Sequence, residues 1–313
     1  MTWLAWRQFR TQALLAAGAT VGALVTLIVT RDQVARVATT GQVSTSLESL
    51  RLLGTALVGV PAFIGAFWGA PMVARELEAG TQRLAWTQSI TRRRWLGIKL
   101  AVASVVAIAV TIAFSAAFTW WSVPYDQLGN RIGTANFGQR GIVPVAYALF
   151  ALALGTLLGA ITRRTLPAVA STLLGFFVAR FAFQALVRPR LMAAVVTSRP
   201  SNAFGTQEGS TAASGAWVLS SRTVDAAGRA VHDVYAGDFG RQMAQSCGIT
   251  NMRGSSTEQA RIACINRLGL HDIVRIHPAD QFWGLQIREA AVFTLLAVIL
   301  AGLAFWWIRR RVA

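Results

Sequence analysis

Charged residues are scarce in this sequence, and lysine is almost absent. Only 14% of the 313 residues are charged, and Lys99 is the only lysine. A soluble domain carries about 25% charged residues, so the composition argues against an ordinary cytosolic enzyme. Intrinsic disorder is excluded as well, because 54% of the residues are hydrophobic and disorder requires low hydrophobicity. Because Ile98 precedes the one lysine, the phosphate-binding motif G-x-x-x-x-G-K-[ST] is also excluded.

Residue types that catalyse reactions or bind metals are few. Three residues could be considered as zinc ligands, namely His271, Asp272 and His277. No H-E-x-x-H motif or paired C-x-x-C spacing supports a zinc site. We interpret these histidines as solvated or hydrogen-bonded loop residues. The nucleophile motif G-x-S-x-G does not occur, and no carboxylate pair stands within an apolar run. The sequence therefore predicts no catalytic site, no metal and no bound cofactor, and we expect that the chain is not an enzyme.

Long apolar runs dominate what is present. The net charge of +17 would suggest nucleic acid binding in a polar chain, but here the arginines lie between apolar segments, as they do at membrane flanks. A helix needs about 20 mostly apolar residues to cross a bilayer. Six segments qualify and predict an all-α polytopic membrane protein without a nucleic acid partner. They are Ala13–Val29, Leu52–Val73, Leu100–Ser122, Val143–Ile161, Leu166–Val187 and Ala290–Ile308.

The arginines also predict an orientation. With an inside N-terminus, one set of short flanking segments carries 13 positive residues and the opposite set carries 5. Short cytoplasmic loops carry the excess of Lys and Arg, so both termini are expected in the cytoplasm. Residues 1–12 either lie in the membrane interface as an amphipathic helix or are the frayed start of the first span.

A polar stretch interrupts the spans late in the chain. The predicted domains are residues 1–187 with the first five spans, an extracytoplasmic domain at 188–288, and 289–313 with the sixth span and a cytoplasmic tail. Two β-prone runs joined by a turn at Asp225–Gly228, and a short capped helix that ends at Gly269, make this domain small and mixed α/β. Cys247 and Cys264 lie in it, and we expect a disulfide there rather than two separate buried thiols.

Small residues and one charge stand out inside the spans. Three spans contain G-x-x-x-G, at Gly18 and Gly22, Gly65 and Gly69, and Gly155 and Gly159. This spacing permits close helix contact, and packing within the chain is a better interpretation than a dimer seam. Arg180 is the one charge within the fifth span. It either extends to the outer headgroups or packs against the extracytoplasmic domain, or it lines a substrate path.

The inner loop between the second and third spans, residues 74–99, is the most informative segment. Glu76 and Glu78 precede Gly80 and Thr81, and a short amphipathic stretch then runs to Ile90. Its apolar side chains are Leu84, Trp86 and Ile90, and basic Arg92, Arg93 and Arg94 follow at the membrane flank. The stretch is either an interfacial anchor on anionic lipid or a helix presented to a cytoplasmic partner. We expect Glu76 and Glu78 to form arginine pairs, with that partner or with Arg92–Arg94.

With the E-x-G-T and TRRRW…K motifs of this loop, the chain resembles permeases of type-2 ABC transporters, more narrowly those encoded by actinobacteria. The WRQFRTQ start, HPADQFWGLQIRE and the FWWIRRR end support the resemblance over the whole chain. It implies that the 74–99 loop carries a coupling helix, which docks into a groove of an ATPase subunit. It also implies two ATPase chains and two permease chains, with ATP and magnesium in the ATPase. The large domain between spans five and six departs from the compact drug-exporter pattern.

The sequence thus predicts the permease subunit of an ABC exporter in the bacterial plasma membrane, as a dimer with a second, identical permease. A lipophilic or amphipathic substrate, such as a drug, natural product or lipid-like compound, is expected because no charged intramembrane site is prepared for an ion. The rival hypothesis is a membrane sensor or scaffold whose extracytoplasmic domain binds a ligand or an envelope protein. A scaffold has no need for a loop shaped to bind an ATPase.

Overall fold

The computed structural model describes residues 18, 21–22, 25–32, 57–80, 91–123, 132, 135–201, 215–231, 245–247 and 266–311. Two compact units are distinguished. The helical unit comprises Met1–Tyr125, Ala135–Leu191 and Trp283–Ala313. The sheet-bearing unit comprises Asp126–Thr134 and Met192–Phe282.

The helical unit begins, in its described part, with helical residues at 18, 21–22 and 25–32. A broken helical run follows, made of a 3-10 turn (Leu57–Gly59), α1 (Val60–Ile64), a π-helical stretch (Gly65–Gly69) and α2 (Ala70–Ala79). The longer helices are α3 (Arg92–Ser122), α4 (Val143–Thr162), α5 (Thr165–Ala182) and α6 (Phe282–Arg311). The 3-10 turn Ala135–Gln139 precedes α4, and α5 continues through a π-helical stretch (Phe183–Val187) and a 3-10 turn (Arg188–Arg190).

Local signals explain where these helices begin and end. Gly80, with a φ of 70°, ends α2 in the left-handed conformation, which glycine adopts without a steric penalty. Thr91 caps α3, because its hydroxyl oxygen accepts a hydrogen bond from the backbone N–H of Arg94 at 3.3 Å. Pro144 lies in the first turn of α4, where a missing N–H has no consequence.

Four helices of the described residues are long and apolar enough to cross a membrane. They comprise Arg92–Ser122, Val143–Thr162, Thr165–Arg190 and Ala279–Arg311. Their outer faces remain apolar, since Val105, Leu174 and Val298 are each more than half exposed. A soluble surface avoids such continuous apolar area, so these faces are suited to lipid.

Four of the six predicted spans are therefore confirmed as candidates, and two are not. Of the predicted span Ala13–Val29, only residues 18, 21–22 and 25–29 are described, and these are helical. The predicted span Leu52–Val73 is, from Leu57 onward, the broken helical run rather than one regular helix.

Paired glycines bring the broken helical run against α4. A Cβ atom built on Gly65 would lie 2.4 Å from the backbone oxygen of Ala151, and one on Gly155 would lie 2.3 Å from the oxygen of Gly65. Gly69 and Gly159 make equally close backbone contacts. The interpretation of these two motifs as packing sites within the chain is confirmed. Gly18, in the third motif, has no neighbouring atom within 4 Å of such a Cβ.

The sheet-bearing unit contains a small antiparallel sheet. Its strands are β1 (Val195–Pro200), β2 (Trp217–Val224) and β3 (His271–His277), in the order β1-β3-β2. Val195 pairs with Ile276, Trp217 pairs with His277, and the β2 register shifts between Val218 and Ser220. The chain is thus mostly helical with one small sheet.

One of the two predicted strands is confirmed as β2, and the turn that follows it is present as expected. The N–H of Gly228 donates to the oxygen of Asp225 at 2.9 Å, and one further bridge joins Val224 to Ala230. Most of the predicted capped helix lies outside the described residues, although Gly269 has the left-handed φ of 60° expected of a helix end.

Candidate functional site

The helices on either side of residues 81–90 are joined by an ion pair. The Lys99 ammonium on α3 donates to the Glu76 carboxylate on α2, and the two side chains are 13% and 19% exposed. The same ammonium lies 4.7 Å from the centre of the Trp95 ring. This contact fixes α2 against α3.

Glu78 joins α2 to a third helix. Its carboxylate accepts hydrogen bonds from the backbone N–H of Thr165 at 3.0 Å and from the Thr165 hydroxyl at 2.7 Å. These bonds lower the pKa of Glu78, with the hydroxyl contact as the largest cause. Thr165 is the first residue of α5, so Glu78 supplies the negative charge that a helix N-terminus favours.

Of the two expected arginine pairings, the one with Arg92–Arg94 is wrong, because Glu76 pairs with Lys99 and Glu78 with Thr165. The pairing with arginines of the partner stays a prediction. Arg92–Arg94 form the first turn of α3, whereas Lys99 lies further along that helix, level with Glu76. Arg163 and Arg311 lie at the same end, since the Arg163 guanidinium donates to the Arg311 backbone oxygen at 2.5 Å. We call this end of the helical unit, defined by Glu76, Glu78, Lys99, Arg163, Thr165 and Arg311, the basic end.

The remaining candidates of the loop have different outcomes. Gly80 and Thr91 mark the two edges of the segment, as the helix-ending glycine and the capping threonine. Thr81, Leu84, Trp86 and Ile90 lie outside the described residues, and their role stays a prediction.

A buried ion pair lies toward the opposite end of the helical unit. Arg188 donates from Nε to Oε2 and from Nη2 to Oε1 of Glu289, both at 2.8 Å. The Tyr147 hydroxyl donates to Oε1 of the same carboxylate. Arg188 is 1% exposed, and Glu289 and Tyr147 are fully buried. The pair ties the end of the α5 helix to α4 and α6.

Arg180 lies beside this pair and is also enclosed, with 1% of its surface exposed. Its Nη1 donates to the backbone oxygen of Val58 at 2.9 Å, and its guanidinium carbon lies 4.7 Å from the centre of the Tyr147 ring. The prediction that Arg180 extends to the headgroups is therefore wrong, because the surrounding helices and the 3-10 turn at Ala135–Gln139 bury the side chain. We call Tyr147, Arg180, Arg188 and Glu289 the buried charge cluster.

The buried charge cluster also corrects the expectation that the membrane unit holds no charged site. Sequence reasoning found only Arg180, because Arg188 and Glu289 stand one residue outside the predicted fifth and sixth spans. Their positions were a usable signal. Span five ends and span six begins on the same side of the membrane, so opposite charges just beyond those ends can meet.

A short segment covers the cluster. The Phe137 ring lies 4.6 Å from the guanidinium carbon of Arg188, and a Cβ on Gly138 would lie 2.7 Å from Nη2 of Arg180. The Gln286 side chain holds the segment in place. Its amide nitrogen donates to the Phe137 oxygen at 3.0 Å, and its amide oxygen accepts from the N–H of Val143 at 3.1 Å.

The histidines considered as a zinc set lie on β3 rather than in a loop. His277 is buried, and its Nδ1 lies 2.7 Å from Oε1 of Gln281. Asp272 accepts hydrogen bonds from the hydroxyls of Ser201 at 2.9 Å and Thr223 at 2.7 Å. These contacts hold the sheet and its flanks together. Among the described residues no group of three His, Cys, Asp or Glu side chains is arranged to hold a metal ion.

A family comparison bears on the helical unit. The model of a family described as "ABC-2 membrane transporter related" matches residues 1–188. The chain belongs to this family. The match confirms the resemblance to type-2 ABC permeases, while the narrower likeness to actinobacterial permeases stays a prediction. Neither the curated proteins nor the solved structures contain a match to the chain.

Membership of the ABC-2 family has two consequences. It makes the chain a membrane permease, in agreement with the four apolar helices, and it implies an ABC ATPase as partner. The matched residues include both edges of the 81–90 segment and three members of the buried charge cluster, whereas Glu289 lies beyond them.

Of the predicted cysteine pair, Cys247 lies in a short helical stretch at 245–247, and Cys264 lies outside the described residues.

Proposed function

We propose that this chain is the permease subunit of an ATP-driven ABC exporter, and that its 81–90 segment binds the ATPase. The observation that carries the proposal is how firmly the edges of that segment are held. Gly80 ends α2, Thr91 caps α3, and the Glu76–Lys99 pair joins the two helices. Because α2 and α3 are joined in this way, a displacement of the segment would move both helices.

The displacement would pass on to the rest of the unit through two further contacts. Glu78 connects α2 to the start of α5, and the glycine contacts connect the run before α2 to α4. When ATP binding moves the 81–90 segment, α2 and α3 would move together and carry α4 and α5 with them. The chain itself hydrolyses no ATP; the ATPase subunit supplies that reaction with its own ATP and magnesium.

The proposed orientation places the basic end in the cytoplasm. Arg92–Arg94, Arg163 and Arg309–Arg311 lie at ends of the membrane helices, and positive residues accumulate on the cytoplasmic side. Both termini are then cytoplasmic in a six-span chain. A reporter active only in the cytoplasm should work after Ala313 and near Thr165 and be silent within Gly205–Gly215. Activity at the last site would overturn the orientation.

The proposed assembly contains two permease chains and two ATPase chains, with the second permease identical to the first. The substrate is a lipophilic or amphipathic compound that moves outward from the cytoplasm or the inner leaflet.

The decisive experiment removes the largest apolar side chain of the segment. In Trp86→Ala we expect the ATPase to bind at least about 2 kcal/mol more weakly, because a few aromatic anchors carry most of the energy of a small interface. Co-purification of the ATP-binding-cassette protein with the tagged chain measures binding. Substrate-stimulated ATP hydrolysis by the reconstituted complex measures coupling.

Arg93→Ala is the matched control at the edge of the same segment. A headgroup contact contributes only about 1 kcal/mol, so this variant should retain co-purification and ATP hydrolysis. If Trp86→Ala keeps both properties while its loop detaches from lipid vesicles, the segment is a membrane anchor. That result would favour a sensor or scaffold over an exporter.

A further inference from the structure

The buried charge cluster holds more positive than negative charge. It contains two guanidinium groups, of Arg180 and Arg188, and the single carboxylate of Glu289, all at most 1% exposed. Arg188 occupies both oxygens of that carboxylate, and Tyr147 takes a further site on Oε1. Little acceptor capacity is left on Glu289 for Arg180. Within the described ranges, Arg180 therefore lies in the membrane unit without a carboxylate of its own.

The hydrogen bonds of Arg180 are also incomplete. Nη1 donates to a backbone oxygen, that of Val58, while Nε is buried and has no acceptor among the described residues. The face of the Tyr147 ring supplies a weak attraction for the cation. A buried cation is costly unless it is paired and hydrogen-bonded, and charged groups inside membrane helices characteristically serve a function. Arg180 thus offers both a positive charge and a free donor, which an anionic ligand could use.

We propose that Arg180 binds the acidic group of the transported compound, which makes the substrate an anionic amphipath with a carboxylate or phosphate head. This inference rests on the proposed export function. A guanidinium presents donors in a planar fork that fits either acid. Glu289 is already held by Arg188, so it does not compete with the acidic group for Arg180.

The segment before α4 covers this site. Gly138 lies against the Arg180 guanidinium so closely that an added Cβ would lie 2.7 Å from Nη2. The cover is one short 3-10 turn, Ala135–Gln139, and the Gln286 side chain holds it through the backbone of Phe137. Displacement of this turn would expose Arg180, and the hydrogen bonds of the Arg188–Glu289 pair involve no atom of the turn. The acidic head then binds under the turn, and the apolar tail remains among the membrane helices.

The test compares probes that differ only in the head group. The full chain, in nanodiscs of neutral phosphatidylcholine, is titrated with hexadecyl phosphate, hexadecanoate and hexadecanol at mildly alkaline pH, and binding to empty nanodiscs is subtracted. We expect at least one of the two acids to bind about tenfold or more tightly than the alcohol, the size expected for hydrogen bonds to a charged group. A preference for one acid alone identifies phosphate or carboxylate as the natural head group.

Variants assign the preference to Arg180. Arg180→Gln should bind all three probes as weakly as the alcohol, and Arg180→Lys should keep part of the preference. Arg190→Gln is the control, because it removes an exposed arginine of the same helical segment without altering the cluster. Equal binding of acids and alcohol by the native chain, or an unchanged preference in Arg180→Gln, would overturn the proposal.

A second measurement does not depend on the folding of any variant. Hexadecyl phosphate with a photoreactive group next to its head should label the native chain near Val58, Gly138 or Tyr147. Labelling confined to other segments would refute the site. These binding measurements use no ATPase, so they separate the two proposals. If Arg180 gives the acids tighter binding but Trp86→Ala has no effect on ATPase binding or coupling, the binding site is supported and the export function is refuted. If the exporter is coupled but shows no preference for acids, the export function is supported and the binding site is refuted.

Discussion

Gly155 offers a sharp test of how the membrane helices pack. A Cβ atom there would lie 2.3 Å from the backbone oxygen of Gly65. Comfortable contact between heavy atoms needs roughly 3.5 Å, so in Gly155→Ala α4 and the broken helical run must separate by about 1 Å. The clashing atom belongs to the backbone, and no side-chain rotation can relieve the contact.

Two opposing effects determine the result. Alanine favours a helix over glycine by about 1 kcal/mol, while overpacking of a tight contact typically costs about 1–3 kcal/mol. Gly302→Ala on α6 receives only the first effect, because nothing lies within 4 Å of the added Cβ. Because both glycines lie within helices, the first effect cancels between the two variants, and we expect Gly155→Ala to have a free energy of unfolding about 1–3 kcal/mol below that of Gly302→Ala.

The assay is SDS titration of the purified full chain in mixed micelles, followed by tryptophan fluorescence and far-UV circular dichroism. The double variant Gly65→Ala/Gly155→Ala should lose less stability than the sum of the single variants, because the first substitution already separates the two helices. If Gly155→Ala is as stable as Gly302→Ala, the backbone contact between the two helices does not exist and the packing argument fails.

Three other predictions follow from the described contacts and from the sequence. Glu289→Gln removes the charged partner of Arg188, so the free energy of unfolding in mixed micelles should fall by about 3–5 kcal/mol; no measurable loss would contradict the buried pair. Cys247 and Cys264 should resist alkylation until reduced, and Cys247→Ser should destabilise the sheet-bearing unit by about 3 kcal/mol, whereas complete alkylation of the unreduced chain would disprove the disulfide. The pKa of Asp225 is lowered in the folded protein, chiefly by the hydrogen bond from the backbone N–H of Arg229. The stabilising contribution of the Asp225 carboxylate is complete above the unfolded pKa of about 3.9 and disappears as pH falls through the lower folded pKa. On acidification the native chain should therefore lose more stability than Asp225→Asn. Parallel plots of unfolding free energy against pH for the two proteins would refute this.

Apolar length made the long helices predictable, but it did not mark their ends. The predicted span Leu100–Ser122 is the apolar part of α3, which starts at Arg92. Hydropathy detects the hydrocarbon-crossing residues, whereas the backbone hydrogen bonds of a helix continue into polar sequence. Thr91, a capping residue, marks the true start. The broken run at Leu57–Ala79 was hidden because composition carries no sign of a π-helical stretch.

The sites were less predictable, because they depend on contacts between residues far apart in the chain. Glu76 pairs with Lys99 rather than with Arg92–Arg94, which are closer in sequence. The packing of α2 against α3 determines which side chains lie opposite each other, and sequence distance does not show it. β3 was missed because buried polar residues break its alternation. Asp272 is buried there only because the hydroxyls of Ser201 and Thr223, from other parts of the fold, hydrogen-bond its carboxylate.

Lys99 carries the only side-chain amine of the whole sequence, and that amine lies largely enclosed at the junction of α2 and α3. An amine-selective reagent therefore meets a single side-chain amine in this chain, and peptide mapping separates its product from that of the N-terminal amine. The reaction rate of Lys99 depends on how often Glu76 releases the ammonium. The native protein thus contains a chemical reporter at the junction of α2 and α3, and a mass shift at one residue reads out the opening of that junction during each step of an ATPase cycle.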